Sequence, residues 1–218
     1  MSFLAPSSLL AIVASYLVGS LSFAVIVSKV LGMDDPRSYG SKNPGATNVL
    51  RSGRKGAALA TLLLDAIKGW LPVFLIVRFG PAYGLGFDTA ALAGLAAFLG
   101  HLYPVFFRFQ GGKGVATAAG VLLGLAPLLG LATGLTWLII AVFFRYSSLA
   151  SLVAAFFAPA YYLLGGGIAW PLDVIALVAL VVMSLLLVWR HRENIRRLLA
   201  GAESTLGAKS APKSAEGN

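Results

Sequence analysis

Long apolar runs separated by short polar joints set the rhythm of this chain. The runs cover residues 4–30, 57–77, 89–107, 115–126, 127–144, 149–164 and 172–188. Roughly 20 apolar residues suffice for a helix to cross the hydrocarbon core, and shorter or tilted ones serve when packed in protein. The pattern predicts an all-α integral membrane protein. Residues 115–144 read as one span or as two. One helix of about 30 residues is longer than crossing needs, and Pro127 disfavours an unbroken passage.

Charge placement separates these readings, because cations collect on the cytoplasmic side. Two spans there give seven transmembrane helices, with the N-terminus outside and the C-terminus cytoplasmic. The inner loops then hold Arg37, Lys42, Arg51, Arg54, Lys55, Arg108, Lys113, Arg145, Arg190, Arg192, Arg196 and Arg197. Outside remain Arg78, Asp88 and Asp173. One span would put Arg145 and the basic C-terminal tail outside, so seven is the expectation. The shortness of the fourth helix implies that the glycine-rich loop before it dips into the protein.

Residues 1–200 are expected to form one helical bundle, and residues 201–218, rich in Ala, Ser, Gly and Lys, a disordered cytoplasmic tail. The first charged residue is Lys29. With no basic region ahead of the first apolar run, that run is expected to stay as a helix rather than be cleaved as a signal peptide. No internal repeat stands out.

Composition agrees with the pattern. Hydrophobic residues make up 58% and charged residues 11%, against about 25% charged in soluble domains; mean hydropathy is +0.85. The net charge of +9 suits nucleic acid by number but not by distribution, since the cations sit at the ends of apolar runs. Without cysteine there is no disulfide, thiolate metal site or cysteine nucleophile. Two histidines outside any His/Asp/Glu cluster argue against a tight metal site, and no cofactor is implied.

Three polar, cationic blocks interrupt the apolar background, and the charge argument puts all of them on the cytoplasmic side. The first is residues 41–48, followed by Arg51. Asn43-Pro44-Gly45 is a turn signal, and Ser41, Asn43, Thr47 and Asn48 crowd donors and acceptors around it. Such a turn beside Arg51 suits an anion nest, or equally a capping turn with ordinary surface cations. The second is Gly111-Gly112-Lys113-Gly114, directly before a helix. Glycine admits close backbone approach, the helix N-terminus favours a phosphate, and Lys113 adds a full charge. A Walker A loop needs Ser or Thr after the lysine; Gly114 stands there, so nucleotide hydrolysis is not implied. The third is His191 to Asn194, expected to continue the last helix with both side chains on one face.

Single residues add to these blocks. His101 suits a proton acceptor near neutral pH or a satisfied interior polar group. Asp65 and Lys68 share a helix face and read either as functional intramembrane charges or as a neutralising structural pair. Ser148 and Ser151 bring hydroxyls to the last inner loop.

Taken together, the blocks resemble the bacterial membrane-integral acyl-phosphate:glycerol-3-phosphate acyltransferases, the PlsY family, over nearly the whole chain to about Gly207. The resemblance rests on residues 41–51, on Gly100-His101 through Pro104 to residues 111–117, and on the His191…Asn194 ending. It implies transfer of an acyl group from acyl phosphate to the 1-hydroxyl of glycerol 3-phosphate, giving lysophosphatidic acid and phosphate, the first step of phospholipid synthesis. It also implies a multi-pass protein of the bacterial inner membrane with a cytoplasmic active site, fed by a soluble acyl-phosphate synthase and using no acyl-CoA. Lys113, Arg51, His101 and Ser41 are the expected catalytic residues. Asn43, Gly45, Thr47, Asn48, Gly111, Gly112, Gly114, Ser148, Ser151, His191 and Asn194 are the expected substrate-binding residues. The His-x-x-x-x-Asp pattern of acyl-CoA-type glycerolipid acyltransferases is missing, since Phe106 and Arg196 stand where the aspartate would follow His101 and His191.

Rival classes fit less well. An organic-phosphate or anion transporter calls for cations at both ends of a route, and the outer end offers little beyond Arg78. The repeated metal-binding aspartates of CDP-alcohol phosphotransferases are missing. A purely structural subunit leaves the glycine loops unexplained.

Overall fold

A computed structural model of the chain describes residues 5–207. Within these residues ten α-helices run as α1 (Pro6–Gly19), α2 (Phe23–Val30), α3 (Ala46–Leu50), α4 (Lys55–Phe79), α5 (Phe87–Leu102), α6 (Val115–Leu125), α7 (Pro127–Phe144), α8 (Ser147–Gly165), α9 (Val174–Arg190) and α10 (Arg192–Leu199). Short 3-10 turns follow α4 and α5. No strand is present among the described residues; a lone bridge joins Gly166 and Trp170.

Among the described residues, four helices are long and apolar enough to cross a membrane, and up to six spans result if each bent pair counts as one. The bent pairs are α1 with α2, at 44°, and α9 with α10, at 56°. The chain does divide between Ala126 and Pro127, where proline opens α7, a position that needs no amide hydrogen. The run 4–30, read as one helix, breaks at Ser20–Ser22. Ser20 Oγ turns back to the Tyr16 carbonyl at 2.9 Å, and Lys68 Nζ donates to the Leu21 carbonyl at 2.6 Å. Those bonds satisfy polar groups that a break inside the bundle would otherwise orphan.

Helices approach each other over small residues. A Cβ on Gly120 would lie 1.9 Å from the Ala66 carbonyl oxygen, and one on Gly19 would lie 2.1 Å from that of Ala97. The α4–α6 and α1–α5 contacts are thus backbone against backbone, the close packing available to membrane helices without a hydrophobic drive between them. Outward-facing side chains stay apolar, Phe143 being 79% and Phe156 72% exposed, as a lipid-facing belt requires.

The segment expected to be disordered from residue 201 departs from that expectation where it is described. Over 201–207 it folds back on the bundle: Ala202 N–H bonds to Arg197 O at 2.8 Å and Leu206 N–H to Arg145 O at 2.6 Å. Residues 208–218 lie outside the described residues.

Candidate active site

One cavity of about 560 Å³ opens among α3, α4, α5, α6, α7, α8, α9 and α10. Its polar end is lined by Ser41, Asn43, Gly45, Thr47, Arg51, Lys113, Ser148, His191, Asn194 and Glu203, and its apolar limb by Leu62, Leu122, Trp137, Ala155, Ala158, Leu180 and Met183. A charged mouth joined to an oily slot is the shape that a phosphorylated head carrying a fatty chain would fill.

The loop before α3 is held by Asn48. This side chain is 2% exposed; its Oδ1 accepts the Ser41 amide at 2.9 Å, and its Nδ2 donates to the carbonyls of Pro36 at 2.7 Å and Tyr39 at 3.2 Å. Asn48 borders the cavity, yet its donors and acceptor are engaged in shaping the loop that presents Ser41. Arg51 caps α3 and donates to Ser204 Oγ. Burial holds its guanidinium below the usual value while the Glu203 carboxylate opposes the shift. Thr47 Oγ1 lies 3.3 Å from Ser147 Oγ, so the start of α3 meets the start of α8 here.

The glycine loop packs tightly on α5. A Cβ on Gly111 would sit 2.1 Å from the His101 carbonyl oxygen, and one on Gly112 would sit 2.2 Å from His101 Nε2 and 2.8 Å from the Pro44 carbonyl. These two glycines allow protein against protein; Gly111 and Gly112 do not border the cavity, whereas Lys113 and Gly114 do. Gly114 has φ +85°, a conformation glycine adopts without strain, and it starts α6. Arg190 fixes the loop from the far side, donating to Gly111 O at 2.7 Å and Gly112 O at 3.1 Å.

Lys113 reaches inward and donates a hydrogen bond to Asn194 Oδ1. Burial depresses its ammonium to about 8; Glu203 pulls the other way, and Arg197, Arg51 and Arg190 push it down further. Three arginines and the single Glu203 carboxylate around Lys113 leave a net positive field there, to which a phosphate is attracted.

His191 and Asn194 both face the cavity, but the helix does not run straight through them. It breaks at His191, the residue between α9 and α10. His191 Nδ1 sits 2.8 Å from Leu187 O, so the neutral ring carries its proton there and leaves Nε2 for the cavity. Asn194 Nδ2 donates to Glu203 Oε1 at 2.6 Å. The same carboxylate accepts from Ser148 at 2.8 Å and from Arg197 at 2.7 Å. Burial alone would raise the Glu203 carboxyl, but bonds from Asn194, Ser148 and Arg197 hold it below the ordinary range. Ser151 donates to Ser147 O at 2.8 Å and accepts from Trp137 Nε1 at 3.1 Å, which ties α7 to α8.

His101 is 7% exposed, with Nδ1 3.6 Å from Asp65 Oδ1. Asp65 in turn pairs with Lys68 at 2.8 Å, both being 2% exposed. The structure thus joins three residues that the sequence presented as one lone histidine and one separate pair.

All the sequence-predicted site residues converge on this cavity except Gly111 and Gly112, which support it from behind. Sequence reasoning missed Glu203 and Ser204, placed in the tail, and Arg190, counted only among the cations of the inner loops. The available signal was faint: Glu203 is an acid eleven residues after Arg192 in a strongly basic stretch.

Comparison with known proteins agrees with this geometry. The sequence profile of the family "Glycerol-3-phosphate acyltransferase" matches residues 9–201. A glycerol-3-phosphate acyltransferase of Albidiferax ferrireducens is 67% identical over 201 residues, covering 92% of this chain and 90% of the relative. One of Bordetella petrii is 64% identical over 198 residues, covering 91% and 92%. The crystal structure of PlsY (YgiH), an integral membrane glycerol 3-phosphate acyltransferase, in its glycerol 3-phosphate form superposes with TM-score 0.83 at 41% identity, covering 91% of this chain and 95% of that one. Its lysophosphatidic acid form gives 0.82 at 40% identity, covering 93% and 96%. With a profile spanning nearly the whole chain and relatives this similar along nearly their full lengths, this protein belongs to the glycerol-3-phosphate acyltransferase family.

Proposed function

We propose that this protein transfers an acyl group from acyl phosphate to the 1-hydroxyl of glycerol 3-phosphate, releasing lysophosphatidic acid and phosphate. The observation that carries it is the union, in one cavity, of a cationic mouth around Lys113 and Arg51 with an apolar limb. The relatives' names and the solved PlsY forms with glycerol 3-phosphate and lysophosphatidic acid support the same reading.

In this mechanism both phosphates lie at the mouth, countered by Lys113 and Arg51, with Ser41, Thr47 and Ser148 offering hydroxyls. His191 Nε2 and Asn194 close over the glycerol phosphate. The acyl chain runs down the limb between α4, α6, α8 and α9. The 1-hydroxyl oxygen attacks the acyl carbonyl carbon, the bond from that carbon to the phosphate oxygen breaks, and the departing phosphate takes the hydroxyl proton. Phosphate is a good leaving group, so positioning and electrostatic stabilisation supply the catalysis.

His101 is the alternative base. Its ring lies under Gly112 with Nδ1 turned to Asp65, which suits a structural role better. If Lys113→Ala abolishes turnover while His101→Gln, whatever it loses in kcat/KM, leaves the pH profile of kcat unchanged, positioning carries the reaction; loss of a titrating limb of kcat in His101→Gln would make His101 the base.

We also place the protein in the bacterial inner membrane with seven spans, the N-terminus outside and the cavity mouth cytoplasmic, where a soluble acyl-phosphate synthase can supply the donor. The catalytic unit includes Glu203 and Ser204, beyond the boundary expected at residue 200. A transporter would need cations at both ends of a path, whereas those lining this cavity gather at its mouth.

A further inference from the structure

Two buried charges, Asp65 and Lys68, sit within the bundle next to the cavity without any part in the proposed chemistry. A buried ion pair is no bargain for stability, since desolvation can exceed the attraction, so its placement calls for another account.

The pair has neighbours on both sides. Lys68 also bonds the carbonyl freed at the break between α1 and α2, and its ammonium lies 5.7 Å from the centre of the Phe23 ring. Asp65 Oδ1 faces His101 Nδ1 at 3.6 Å, beyond hydrogen-bond range; both atoms are buried without a hydrogen-bond partner, so the contact is one of charge and packing. Beyond His101 comes the glycine loop. The His101 carbonyl accepts the Gly112 amide at 3.1 Å, and His101 Nε2 lies so close beneath Gly112 that not even a methyl group would fit. Gly112 is also wedged against the Pro44 carbonyl of the first loop. The residue after Gly112 is Lys113.

A continuous stack therefore runs from the α1–α2 break through Lys68, Asp65 and His101 to the loop that carries Lys113. It stands on rigid ground, because α4 meets α6 backbone to backbone one turn away, where a Cβ on Gly69 would lie 2.2 Å from the Thr117 carbonyl oxygen.

We infer that Asp65 is a positioning residue for acyl transfer: by holding the His101 ring beneath Gly112, it sets the depth at which Lys113 meets the substrate phosphate. Asp65 itself does no chemistry. Lys68 balances its charge and anchors it to the helix break.

The test uses two variants of the full chain in lipid. Asp65→Asn keeps the shape and removes the charge. Asp65→Glu keeps the charge and moves it by one methylene, and it stays informative if Asp65→Asn fails to fold. Each is assayed for kcat/KM and for hydrogen–deuterium exchange across residues 109–115. Asp65→Asn is expected to lower kcat/KM by about 100-fold, the scale of a small misplacement, and Asp65→Glu by about tenfold. Both should speed amide exchange at 111–114, the mark of local opening, and leave α7 and α9 as in the parent. A folded variant with parental kcat/KM would overturn the inference. So would a slowed variant whose loop exchange is unchanged, since Asp65 would then act elsewhere. The inference rests on the acyl-transfer reading for its rate arm alone; were that reading wrong, the parent would be inactive while the exchange arm still reported on the stack.

Discussion

Lys113 donates a hydrogen bond to the side-chain oxygen of Asn194, 81 positions further along the chain. That bond joins the glycine loop before α6 to α10, which bends away from the end of α9, and it aims the ammonium into the cavity mouth. Asn194 bridges two charges of opposite sign, because its amide nitrogen donates to Glu203. Asn194→Ala leaves both partners short of a contact, at a cost of about 1–3 kcal/mol for a buried group left unsatisfied. We expect kcat/KM to fall by about 10- to 100-fold, read from lysophosphatidic acid formation at limiting glycerol 3-phosphate.

The depressed Lys113 ammonium sets a pH dependence. Its ordinary value is 10.5 and burial brings it to about 8. The protonated form attracts phosphate, so substrate affinity is present below about 8 and is lost as pH rises through that value in the free enzyme. Bound phosphate favours the charged form, so kcat should hold to higher pH than kcat/KM. A pH profile of both constants checks this, and Lys113→Arg, charged at every accessible pH, should remove the basic limb of kcat/KM.

Glu203 is held as a carboxylate by Ser148, Asn194 and Arg197. Glu203→Gln keeps the shape but turns one acceptor oxygen into a donor, which then faces other donors. We expect about a tenfold loss in kcat/KM and a lower unfolding temperature, measured by thermal unfolding in detergent. Truncation after residue 200 should be worse, because it also removes the Leu206 bond to Arg145.

Gly112 is closed to any side chain. In Gly112→Ala the new methyl would meet His101 Nε2 at 2.2 Å and the Pro44 carbonyl at 2.8 Å. Overpacking of this kind costs about 1–3 kcal/mol and lifts Lys113 with the loop. The variant should lose stability and activity together, whereas Gly56→Ala, with nothing within 4 Å of the added carbon, should change neither.

Membrane helices were legible because solvent polarity writes them plainly: long apolar runs, cations at the ends and Pro127 at the division between α6 and α7. The convergence of the loops was legible too, since Ser41, Arg51, Lys113, His191 and Asn194 are polar residues for which a simple anchor has no use. Hidden features were those decided by partners distant in sequence. Ser20 and Ser22 carry no strong breaking signal; the break is sustained by Lys68, from another helix. Asn48 and Ser151 look free in the sequence but are engaged within the protein. Glu203 has the neighbours of a disordered tail, and only Ser148, Asn194 and Arg197 give it a place. Even the glycines of the second block serve close packing at 111 and 112 rather than ligand approach.

The most direct measurement is acyl transfer by the purified protein in lipid, given acyl phosphate and glycerol 3-phosphate without added metal. Equal amounts of lysophosphatidic acid and inorganic phosphate should form, and acyl-CoA in place of acyl phosphate should give neither. Absence of lysophosphatidic acid from acyl phosphate, in folded protein, would contradict the assignment.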